Sequence, residues 1–445
     1  MRVLLTAHQF FPEYTAGTEV LTLSVARELL LRGHEVRIYT GYPSGDNLPE
    51  EERFDEYEFE GIHVYRFHHA YTPMGGQNSL IEIDYDNQLA AAHFERILQS
   101  FSPDVVHFFH LNRLGTGLIE KAVQSAVPAS MTVTDFWPIC PTGQLMMPNG
   151  EMCVGPNRYA GNCIKHFAQS ARQSTGGNLA KWIPVAFINL LSRITTNGFL
   201  PKYPRNIEVR AMGGRLEANV SRLNQLEKIL VPTSLMRELL VKNGVNPNLI
   251  VESAFGVDIQ NSISGTRVPH QPLRIGYIGT LARHKGCHVL IDAFNALPPQ
   301  HAVLKIYGNP EDYPDYYEHL RTMGGNRAGI EFCGTFPNAK MAEVLNELDV
   351  LVVPSIWYEN TPLVIHSAQA VRCPIVASDL QGISAVIGNE KNGLLFKPGN
   401  AADLAGKLLR LINEPTLLTK LSANALQPKS ISVYVDELLN IWKAP

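Results

Sequence analysis

Short apolar runs that alternate with helical patterns constrain the fold of this 445-residue chain more than any other feature. Residues 2–7 and 35–40 are apolar runs of strand length, and residues 20–31 between them carry apolar side chains at helical spacing. A strand–helix–strand unit of this kind needs a crossover that makes its two strands parallel. The pattern therefore predicts an α/β fold built on parallel sheets.

The alternation pauses in a polar stretch that ends at Pro272 and then starts again with a strand at residues 273–278. The sequence therefore predicts two Rossmann-like, doubly wound domains that face each other across a cleft, where a ligand would bind. We expect residues 1–254 to form the first domain and residues 255–425 to form the second. Residues 426–445 are predicted as a C-terminal helix that packs back on the first domain.

The composition favours a soluble, cytoplasmic protein. Hydrophobic residues make up 45% of the chain and charged residues 18%, and the net charge of −4 gives no general attraction to nucleic acid. The first apolar run is broken by His8 and Gln9, which indicates a strand rather than a signal peptide. The apolar run at 183–191 is shorter than the roughly 20 residues of a membrane-spanning helix. Six cysteines are too few for a disulfide scaffold in a chain of this length, and we expect them to be reduced.

One stretch of the second half predicts a ligand site. Residues 350–353 are a buried strand run, and Thr361 and Pro362 suit the cap and first position of a helix that runs to about residue 371. Glu359 is thereby presented at the carboxyl end of a parallel strand, beside helix amides that favour a phosphate. An ordinary strand-to-helix turn with a surface glutamate is the alternative.

In the first half, polar residues follow the ends of predicted strands. His110, Thr134 and Asp135 are therefore expected at the ligand edge of the first sheet. Gly17 and Thr18 precede the first helix and permit a close backbone approach to a ligand. No G-x-G-x-x-G motif is present, so a dinucleotide cofactor is not predicted. Structural hydrogen bonding and an ordinary turn glycine remain the alternative interpretations. Residues 42–60 are acidic and are predicted to lie outside the regular alternation.

Residues 138–166 are rich in proline and glycine and show no periodicity. They contain Cys140, Cys153, Cys163 and His166, whose thiolates and imidazole could form a tetrahedral zinc site. A loop of this length needs some stabilising clasp, which a metal ion would supply. A reduced structural cysteine cluster and a disulfide are the alternatives.

Residues 165–228 form a basic insertion, with ten Lys or Arg residues against three Glu, a net charge of +7. An amphipathic stretch at 181–200 within it carries Trp182, Phe187, Leu190, Leu191 and Phe199. This combination is typical of an interfacial helix at an anionic membrane surface, or of a surface that binds an anionic acceptor. A helical insertion that packs on its own domain and leaves a solvated basic face is the alternative.

Several motifs in both halves, taken in order, resemble one known family: the retaining, nucleotide-sugar-dependent glycosyltransferases of the GT-B fold, family 4. Singly the motifs are weak, but their order and spacing match the family along most of the chain. The motifs are Gly17-Thr18-Glu19, Phe255-Gly256-Val257-Asp258, Tyr277-Ile278-Gly279-Thr280-Leu281, His284-Lys285-Gly286, residues 349–355, residues 357–364, Ala377-Ser378-Asp379 and Asn392-Gly393-Leu394.

The resemblance implies a sugar donor on a nucleoside diphosphate, held mainly by the second half, and catalysis that requires no metal. Lys285 would neutralise the diphosphate as a compact charge, and Glu359 would contact the donor sugar. Gly17 would line the opposite wall. Retention by a front-face route needs no protein nucleophile. The amides at the start of the second-half helix would add to phosphate binding at Thr361, Leu363 and Val364.

This sequence departs from the family pattern at four positions. Ser367 stands where the family usually has a second glutamate, and Thr280 stands where it has an arginine, for which Arg283 is expected to compensate. Thr134 replaces a common histidine, and Ala385 replaces a common glutamate. These changes indicate a divergent subgroup or a weakened active site.

The predicted function is retaining transfer of a sugar from a nucleoside-diphosphate-sugar to a saccharide or lipid-linked acceptor in envelope or exopolysaccharide synthesis. A peripheral position at the inner face of a membrane is also expected. The alternatives are a catalytically weakened GT-B protein that acts as a binding or scaffold subunit, and a nucleotide-sugar epimerase. The predicted catalytic residues are Glu359, Asp135 and Thr134. The predicted donor-binding residues are Gly17, Lys285, Arg283, Thr280, Thr361, Leu363, Val364 and Ser367, and those on the acceptor side are His110 and Thr18.

Overall fold

The chain divides into two compact α/β units, one formed by Met1–Ala254 with the chain from Val435 onward and the other by Phe255–Tyr434. Each unit has its own mostly parallel sheet, so the predicted fold class is confirmed. None of the helices in the described part of the chain combines the length and apolar character needed to cross a membrane. The structure is a computed structural model that describes residues 1–147, 149–170, 182–198, 203–258, 265–325 and 327–443.

The first unit is built on an eight-stranded sheet in the order β3-β4-β2-β1-β5-β6-β7-β8. All neighbouring strands are parallel except β3 and β4. The strand order therefore reverses between β1 and β5, where doubly wound sheets bind ligands. The strands are β1 (Arg2–Ala7), β2 (Glu35–Pro43), β3 (Phe54–Phe59), β4 (Ile62–His69), β5 (Val105–Phe108), β6 (Ala129–Thr132), β7 (Lys228–Val231) and β8 (Ile250–Glu252). The helices are α1 (Gly17–Leu31), α2 (Leu80–Tyr85), α3 (Gln88–Phe101), α4 (Gly117–Gln124), α5 (Gly161–Ser170), α6 (Val185–Thr196), α7 (Asn206–Leu223) and α8 (Ser234–Lys242).

The second unit is built on a six-stranded parallel sheet in the order β11-β10-β9-β12-β13-β14. Its strand order reverses between β9 and β12. The strands are β9 (Leu273–Ile278), β10 (Ala302–Tyr307), β11 (Ile330–Gly334), β12 (Val350–Val353), β13 (Ile375–Ser378) and β14 (Leu394–Phe396). The helices are α9 (Cys287–Asn295), α10 (Pro314–Gly324), α11 (Met341–Asn346), α12 (Leu363–Ala370), α13 (Gln381–Ser384), α14 (Ala401–Asn413), α15 (Pro415–Ala423) and α16 (Ile431–Lys443).

The central strand β12 explains why a short apolar run forms this core. Val350 and Val352 pack into one apolar cluster of the second unit. Leu351 and Val353 pack into another, because successive side chains of a strand point to opposite faces. Because both faces of β12 are buried, a polar side chain would be unfavourable at any of its positions, and its sequence is therefore continuously apolar.

Two stretches contain regular structure that the sequence did not predict. Within residues 42–60, β3 pairs antiparallel with β4 at the edge of the first sheet. Asp55, Glu56 and Glu58 obscure this strand because an edge strand tolerates charged side chains that a central one excludes. The proline- and glycine-rich stretch ends in α5, which begins at Gly161.

The C-terminal helix α16 is tied to the first unit by polar contacts. Arg32, which follows the last residue of α1, forms an ion pair with Asp436 at 2.5 Å. Trp442 donates its indole N–H to the Ser130 hydroxyl on β6 at 2.9 Å. The end of the chain therefore completes a unit that begins at its first residue.

Two glycines allow the loop after β12 to pass between its neighbours. At Gly286, whose φ of +74° favours glycine, a Cβ atom would lie 1.9 Å from the Pro354 carbonyl oxygen. At Gly382, a Cβ atom would lie 1.6 Å from the Glu359 carbonyl oxygen. Backbone from both sides therefore fixes the path of the loop that carries Glu359.

We expect Gly382→Ala to lower the free energy of unfolding by about 1–3 kcal/mol, because the added methyl group meets a backbone oxygen that cannot move alone. Thermal and urea unfolding of the whole chain measure this change. Gly406→Ala is the matched control, since Gly406 is an exposed residue of α14 with no heavy atom within 4 Å of its added Cβ. That control should leave stability unchanged or raise it by up to about 1 kcal/mol. Equal effects of the two substitutions would contradict the close approach at Gly382.

Candidate functional site

The candidate site of the second unit lies where its strand order reverses. The loop after β9 carries Lys285, at the end of a 3₁₀ turn (Arg283–Lys285) that leads into α9. The loop after the neighbouring strand β12 carries Glu359. The Ile356 amide donates to the His284 carbonyl oxygen at 2.9 Å, so the two loops are hydrogen-bonded to each other. The topology thus brings together residues that are 74 positions apart in the chain.

The Glu359 carboxylate is buried, with only 5% of its side chain exposed, and both of its oxygen atoms accept hydrogen bonds. Its Oε1 atom accepts hydrogen bonds from the Ser355 hydroxyl at 2.5 Å and the Trp357 indole at 2.9 Å. The Lys285 ammonium donates to Oε1 at 2.8 Å and to Oε2 at 3.1 Å. A buried carboxylate needs such partners to remain charged, and here it has three.

Lys285 is the more accessible member of the pair, with 25% of its side chain exposed. Its Nζ atom also lies 4.8 Å from the centre of the Trp357 ring, a cation–π distance. An ammonium group has three hydrogens, and the two contacts to Glu359 leave one for another acceptor. The predicted partners therefore contact each other, and Lys285 keeps the capacity to bind an anionic oxygen.

The other predicted donor-binding residues of the second unit differ in their burial and in their contacts. Thr280 accepts a hydrogen bond from the Tyr277 hydroxyl through its carbonyl oxygen at 2.8 Å. Arg283 is exposed. Ser367 on α12 is buried, with 7% of its surface exposed. Leu363 and Val364 form the first turn of α12, where the amides lack partners within the helix.

The prediction that Thr361 caps this helix is wrong. Pro362 occupies the cap position and α12 begins at Leu363. Thr361 has a φ of +56°, which turns its hydroxyl away from the helix amides, and that hydroxyl donates instead to the Gly382 carbonyl oxygen at 3.2 Å. Thr361 therefore helps to hold the loop after β12 against α13.

Ser355 and Trp357 are site residues that sequence reasoning did not identify. They occupy alternate positions before Glu359, so the signal was a two-residue spacing in the loop. That spacing lets the indole and the hydroxyl reach the same carboxylate oxygen. His284 packs its ring 4.6 Å from that of Trp357, and burial lowers the His284 pKa to about 4.

In the first unit, polar side chains also meet where the strand order reverses. His110 follows β5 and Asp135 follows β6, and the His110 Nε2 atom lies 3.0 Å from Asp135 Oδ1. The Thr18 hydroxyl donates to the Thr134 hydroxyl at 2.9 Å, and Thr134 donates to a backbone carbonyl. The predicted acceptor-side and catalytic residues of this unit are therefore brought together in pairs. Gly17 is exposed as the first residue of α1.

His8 and Glu19 belong to the same cluster, although the sequence analysis did not select them. The His8 ring lies 4.1 Å from the His110 ring, and its Nδ1 atom lies 3.7 Å from Glu19 Oε1. The rule that selected His110, a polar residue just past a strand end, applies equally to His8 after β1. His8 keeps 21% of its side chain exposed, whereas the Glu19 side chain is wholly buried.

Burial sets the protonation of this cluster. Loss of hydration raises the pKa of Glu19 from its ordinary value of 4.5 to about 7. Loss of hydration, reinforced by the nearby His110 and His69, lowers the pKa of His8 well below its ordinary value. A neutral imidazole and a carboxyl group that titrates near neutrality therefore lie side by side.

The four residues of the predicted zinc site, Cys140, Cys153, Cys163 and His166, line one small cavity. No three His, Cys, Asp or Glu side chains in the described part of the chain are arranged to hold a metal ion, so this arrangement gives the zinc prediction no support. The thiols have other partners, since Cys140 contacts the Thr142 hydroxyl and Cys153 contacts the Gly155 amide. Burial raises the pKa of Cys163 to about 12, which disfavours a thiolate. All three thiols are free, as the alternative of a reduced structural cluster requires.

Two solved structures share this architecture. HepE of Anabaena, solved in complex with UDP and glucose, matches with a TM-score of 0.63 and 17% identity over 98% of this chain and 99% of that chain. WaaG, a glycosyltransferase involved in lipopolysaccharide biosynthesis, matches with a TM-score of 0.59 and 15% identity over 100% of both chains. These likenesses show the fold, which is the GT-B fold of glycosyltransferases.

Two family models together cover most of the sequence. The model described as Glycosyltransferase Family 4 matches residues 15–261, more than half of the chain, and the model described as Glycosyl transferases group 1 matches residues 258–427. The chain therefore belongs to Glycosyltransferase Family 4. The amylovoran biosynthesis glycosyltransferase AmsK of Erwinia amylovora is 29% identical over 202 residues, which cover 43% of this chain and 49% of that protein. The match thus spans about half the length of this relative.

We expect Lys285→Met to lower the free energy of unfolding by about 1–3 kcal/mol, because Glu359 would stay buried without its cation. Lys305→Met is the matched control, since Lys305 forms an ion pair with Glu347 at the same 2.8 Å but with a partner that is 59% exposed. Removal of an exposed pair should cost less than about 1 kcal/mol. Chemical unfolding measures both changes, and Glu359→Gln in the Lys285→Met background should restore part of the loss. Equal losses at the two lysines would contradict this assignment.

We expect Glu19→Gln to stabilise the protein at pH 8 and to have little effect near pH 4.5. The folded-state pKa of Glu19, about 7, lies above the unfolded value of 4.5, so the folded state binds this proton more tightly. The contribution of Glu19 to stability is therefore present below pH 4.5 and is lost as the pH rises to about 7. The full difference corresponds to about 3 kcal/mol.

Urea unfolding of the unaltered chain and of Glu19→Gln at several pH values measures the difference in their free energies of unfolding. Glu217→Gln on the exposed side of α7 is the control and should change stability equally at all of them. A Glu19→Gln difference that does not vary with pH would overturn the assignment.

Proposed function

We propose that this protein is a retaining glycosyltransferase that moves a sugar from a nucleoside-diphosphate-sugar to a saccharide or lipid-linked acceptor in envelope or exopolysaccharide synthesis. The Lys285–Glu359 pair at the strand-order reversal of the second unit is the observation that carries the proposal. It combines a cation for the diphosphate with an oriented carboxylate for sugar hydroxyls. Membership of Glycosyltransferase Family 4 supports the same reaction class.

The donor would bind to the second unit. Lys285 has one ammonium hydrogen available for a diphosphate oxygen, and the positive end of the helix dipole at the start of α12 favours the same negative charge. Negative charge grows on the diphosphate as the bond to the sugar breaks, so groups that stabilise this charge lower the barrier. The protein would thus act on the leaving group through preorganised electrostatics.

Glu359 would orient the sugar. Its Oε1 atom accepts three hydrogen bonds from the protein, whereas its Oε2 atom accepts one, from Lys285. Oε2 therefore retains acceptor capacity for a hydroxyl group of the donor sugar. Because Ser355 and Trp357 hold Oε1, the direction of Oε2 is fixed before the sugar arrives.

The acceptor would bind to the first unit, at the cluster of His8, His110 and Asp135. Asp135 orients the His110 ring, and the partly exposed His8 ring offers a neutral nitrogen to an acceptor hydroxyl. In front-face retention the acceptor oxygen forms its bond to the sugar on the face from which the diphosphate leaves. The acceptor proton passes to the departing phosphate oxygen, so no protein nucleophile is needed.

The names of similar proteins support the choice of substrates for a test. AmsK is named for amylovoran biosynthesis, and HepE was solved with UDP and glucose. UDP and UDP-sugars are therefore the first ligands to examine, followed by other nucleoside diphosphates and their sugars.

We expect a matching nucleoside diphosphate to raise the thermal unfolding midpoint of the whole protein, since a ligand at about 100 times its Kd adds about 2.7 kcal/mol. Lys285→Met should lose this shift, whereas Lys305→Met should retain it. Glu359→Gln should still bind the free diphosphate but lose transfer. The products are measured by release of nucleoside diphosphate and by NMR of the new linkage, which should keep the donor's anomeric configuration.

Other outcomes of this experiment would replace the proposal. Inversion of the anomeric configuration would rule out the retaining route. Binding without turnover for the whole donor panel would favour the scaffold alternative. An isomerised donor without free diphosphate would favour the epimerase alternative.

A further inference from the structure

The ligand edge of the first unit carries an arginine and a tyrosine that the proposed function does not use. Arg113 lies in the loop after β5, three residues beyond His110, and Tyr71 lies in the loop after β4. Strands β4, β2, β1 and β5 are parallel neighbours, so these two loops leave the same edge of the sheet. The Arg113 guanidinium carbon lies 3.9 Å from the centre of the Tyr71 ring, a cation–π contact that joins the two loops.

The backbone of Arg113 is held in an uncommon conformation. Its φ of +70° lies in the left-handed region, which costs free energy for a residue with a side chain and persists only where the surroundings fix it. The Arg113 amide donates to the Asp84 carbonyl oxygen at 3.2 Å. The Asn87 side-chain amide donates to the Arg113 carbonyl oxygen at 3.3 Å. Contacts on both sides of the residue therefore fix the direction in which its side chain leaves the loop.

The Arg113 guanidinium group keeps donors available for a ligand. Its Nε atom lies 3.2 Å from Asp84 Oδ1, and its Nη2 atom donates one hydrogen to the Tyr71 hydroxyl. A guanidinium group has five N–H donors in one plane, and among the described residues the Nη1 atom of Arg113 has no acceptor. The side chain is 21% exposed. Burial lowers the pKa of Arg113 to about 10, so the group is still a cation at neutral pH.

Asp84 does not cancel this positive charge, because it lies near two arginines. Burial raises the pKa of Asp84 to about 6, and Arg215 on α7 is close enough to oppose that shift. Arg215 is buried, and its Nε and Nη1 atoms have no hydrogen-bond partner in the part of the chain that the structure describes. Asp86, the next carboxylate along the chain, is paired with Arg222 at 2.9 Å. Two guanidinium groups therefore share one carboxylate, which leaves positive charge for a ligand.

Tyr71 adds an apolar surface beside this charge. The residue is 65% exposed, although the Arg113 guanidinium group lies against its ring. The Tyr71 hydroxyl accepts a hydrogen bond from Arg113, which fixes the orientation of the ring. An exposed aromatic ring can stack on the C–H face of a sugar, and a guanidinium fork can bind two oxygens of one anion. The two side chains together match a sugar ring that carries an acidic group.

His69 connects this pair to the cluster of His8 and His110. His69 is the last residue of β4, and a Cβ atom at Gly41 would lie 2.7 Å from the His8 carbonyl oxygen and 3.3 Å from His69 Cδ2. Burial, reinforced by the nearby charge of Arg113, lowers the pKa of His69 to about 3. His69 is therefore a neutral neighbour of both groups, and the Arg113–Tyr71 pair adjoins the proposed acceptor cluster.

We propose that Arg113 and Tyr71 form a subsite of the acceptor site that selects an anionic sugar, one that carries a carboxylate or a phosphate ester. Arg113 would bind two oxygens of the acidic group, and Tyr71 would stack on the sugar ring. A neutral sugar would leave the half-buried guanidinium group without an anion and should bind more weakly. The inference rests on the proposed function, because it names the substrate class of the same acceptor site.

Binding of small sugars to the whole protein tests the inference. Methyl β-D-glucuronide and glucose 6-phosphate carry the two kinds of acidic group, and methyl β-D-glucoside is the neutral match. We expect titration calorimetry or ligand-observed NMR to show that the preferred anionic sugar binds about tenfold or more tightly than the neutral one. The tighter of the two anionic sugars identifies the acidic group. Inorganic phosphate should bind about fivefold or more weakly than that sugar, because it lacks a ring for Tyr71 to contact.

Substitution of Arg113 tests the charge. Arg113→Met should remove the preference for the anionic sugar, and Asp84 keeps Arg215 as a neighbour, so the chain should still fold. Arg113→Lys keeps both the charge and the pair with Asp84 but loses the planar fork, and it should show an intermediate preference. Arg96→Met is the matched control, because the Arg96 guanidinium carbon also lies over an aromatic ring, 5.6 Å from the centre of Phe54, but on α3 rather than in a loop at the strand ends. It should bind all the sugars like the unaltered chain.

Substitution of Tyr71 tests the stacking contact. Tyr71→Ser should weaken the binding of the charged and neutral sugars alike by about fivefold, and it should leave inorganic phosphate binding unchanged. Tyr71→Phe keeps the ring and should keep most of the sugar binding. The side chain is largely exposed, so the thermal unfolding midpoints of both variants should match that of the unaltered chain.

Three results would overturn the inference. One is equal affinity for the neutral sugar and for both anionic sugars. Another is a preference for the anionic sugar that Arg113→Met and Arg113→Lys both retain in full. The third is binding of inorganic phosphate as tight as that of glucose 6-phosphate together with no effect of Tyr71→Ser, which would leave an anion site that does not recognise a sugar.

Failure of the proposed function would look different. Selective binding of the anionic sugar without transfer from any donor would contradict the proposed function and support the subsite. Transfer to methyl β-D-glucoside with the same kcat/KM as to methyl β-D-glucuronide and glucose 6-phosphate would contradict the subsite and support the proposed function.

Discussion

The ion pair between Lys285 and Glu359 is the interaction on which the site of the second unit depends. It joins the loops after the two strands that flank the strand-order reversal, and it does so in a buried setting where an unpaired carboxylate would be costly. Ser355 and Trp357 complete the coordination of the carboxylate. Gly286 and Gly382 allow backbone to approach the same loop from two sides. Charge, hydrogen bonding and backbone packing therefore fix the geometry of one side chain before any ligand is considered.

The first unit uses the same topology with different chemistry. Its cluster also lies at a strand-order reversal, between β1 and β5, but it contains imidazoles and a buried carboxyl group instead of a satisfied ion pair. Among the residues that the structure describes, the ion-pair contact of Glu19 is with His8 rather than with a lysine or arginine, and burial raises the pKa of Glu19 to about 7. One unit thus holds a carboxylate paired with a lysine, and the other holds a buried carboxyl group whose pKa is about 7.

The parts of this structure that could be predicted from the sequence are those that local patterns determine. The bounds of β1, β9, β12 and β13 follow from apolar runs buried on both faces, and the position of Glu359 follows from the strand before it. The pairing of Glu359 with Lys285 could not be read in this way, because it depends on which strands become neighbours. Thr361 looked like a cap from its residue type, but its positive φ, imposed by the loop, directs its hydroxyl elsewhere. The exposure of Phe187 on α6 could not be predicted either, since a helical pattern shows two faces but not which one is covered.

The return of α16 to the first unit has a consequence for the order in which the protein is completed during synthesis. Ser130 on β6 accepts a hydrogen bond from Trp442, and Arg32, just after α1, forms an ion pair with Asp436. A ribosome delivers the chain from the first residue to the last, so these partners emerge only after the whole second unit has been made. The unit that is translated first is therefore the one that is finished last.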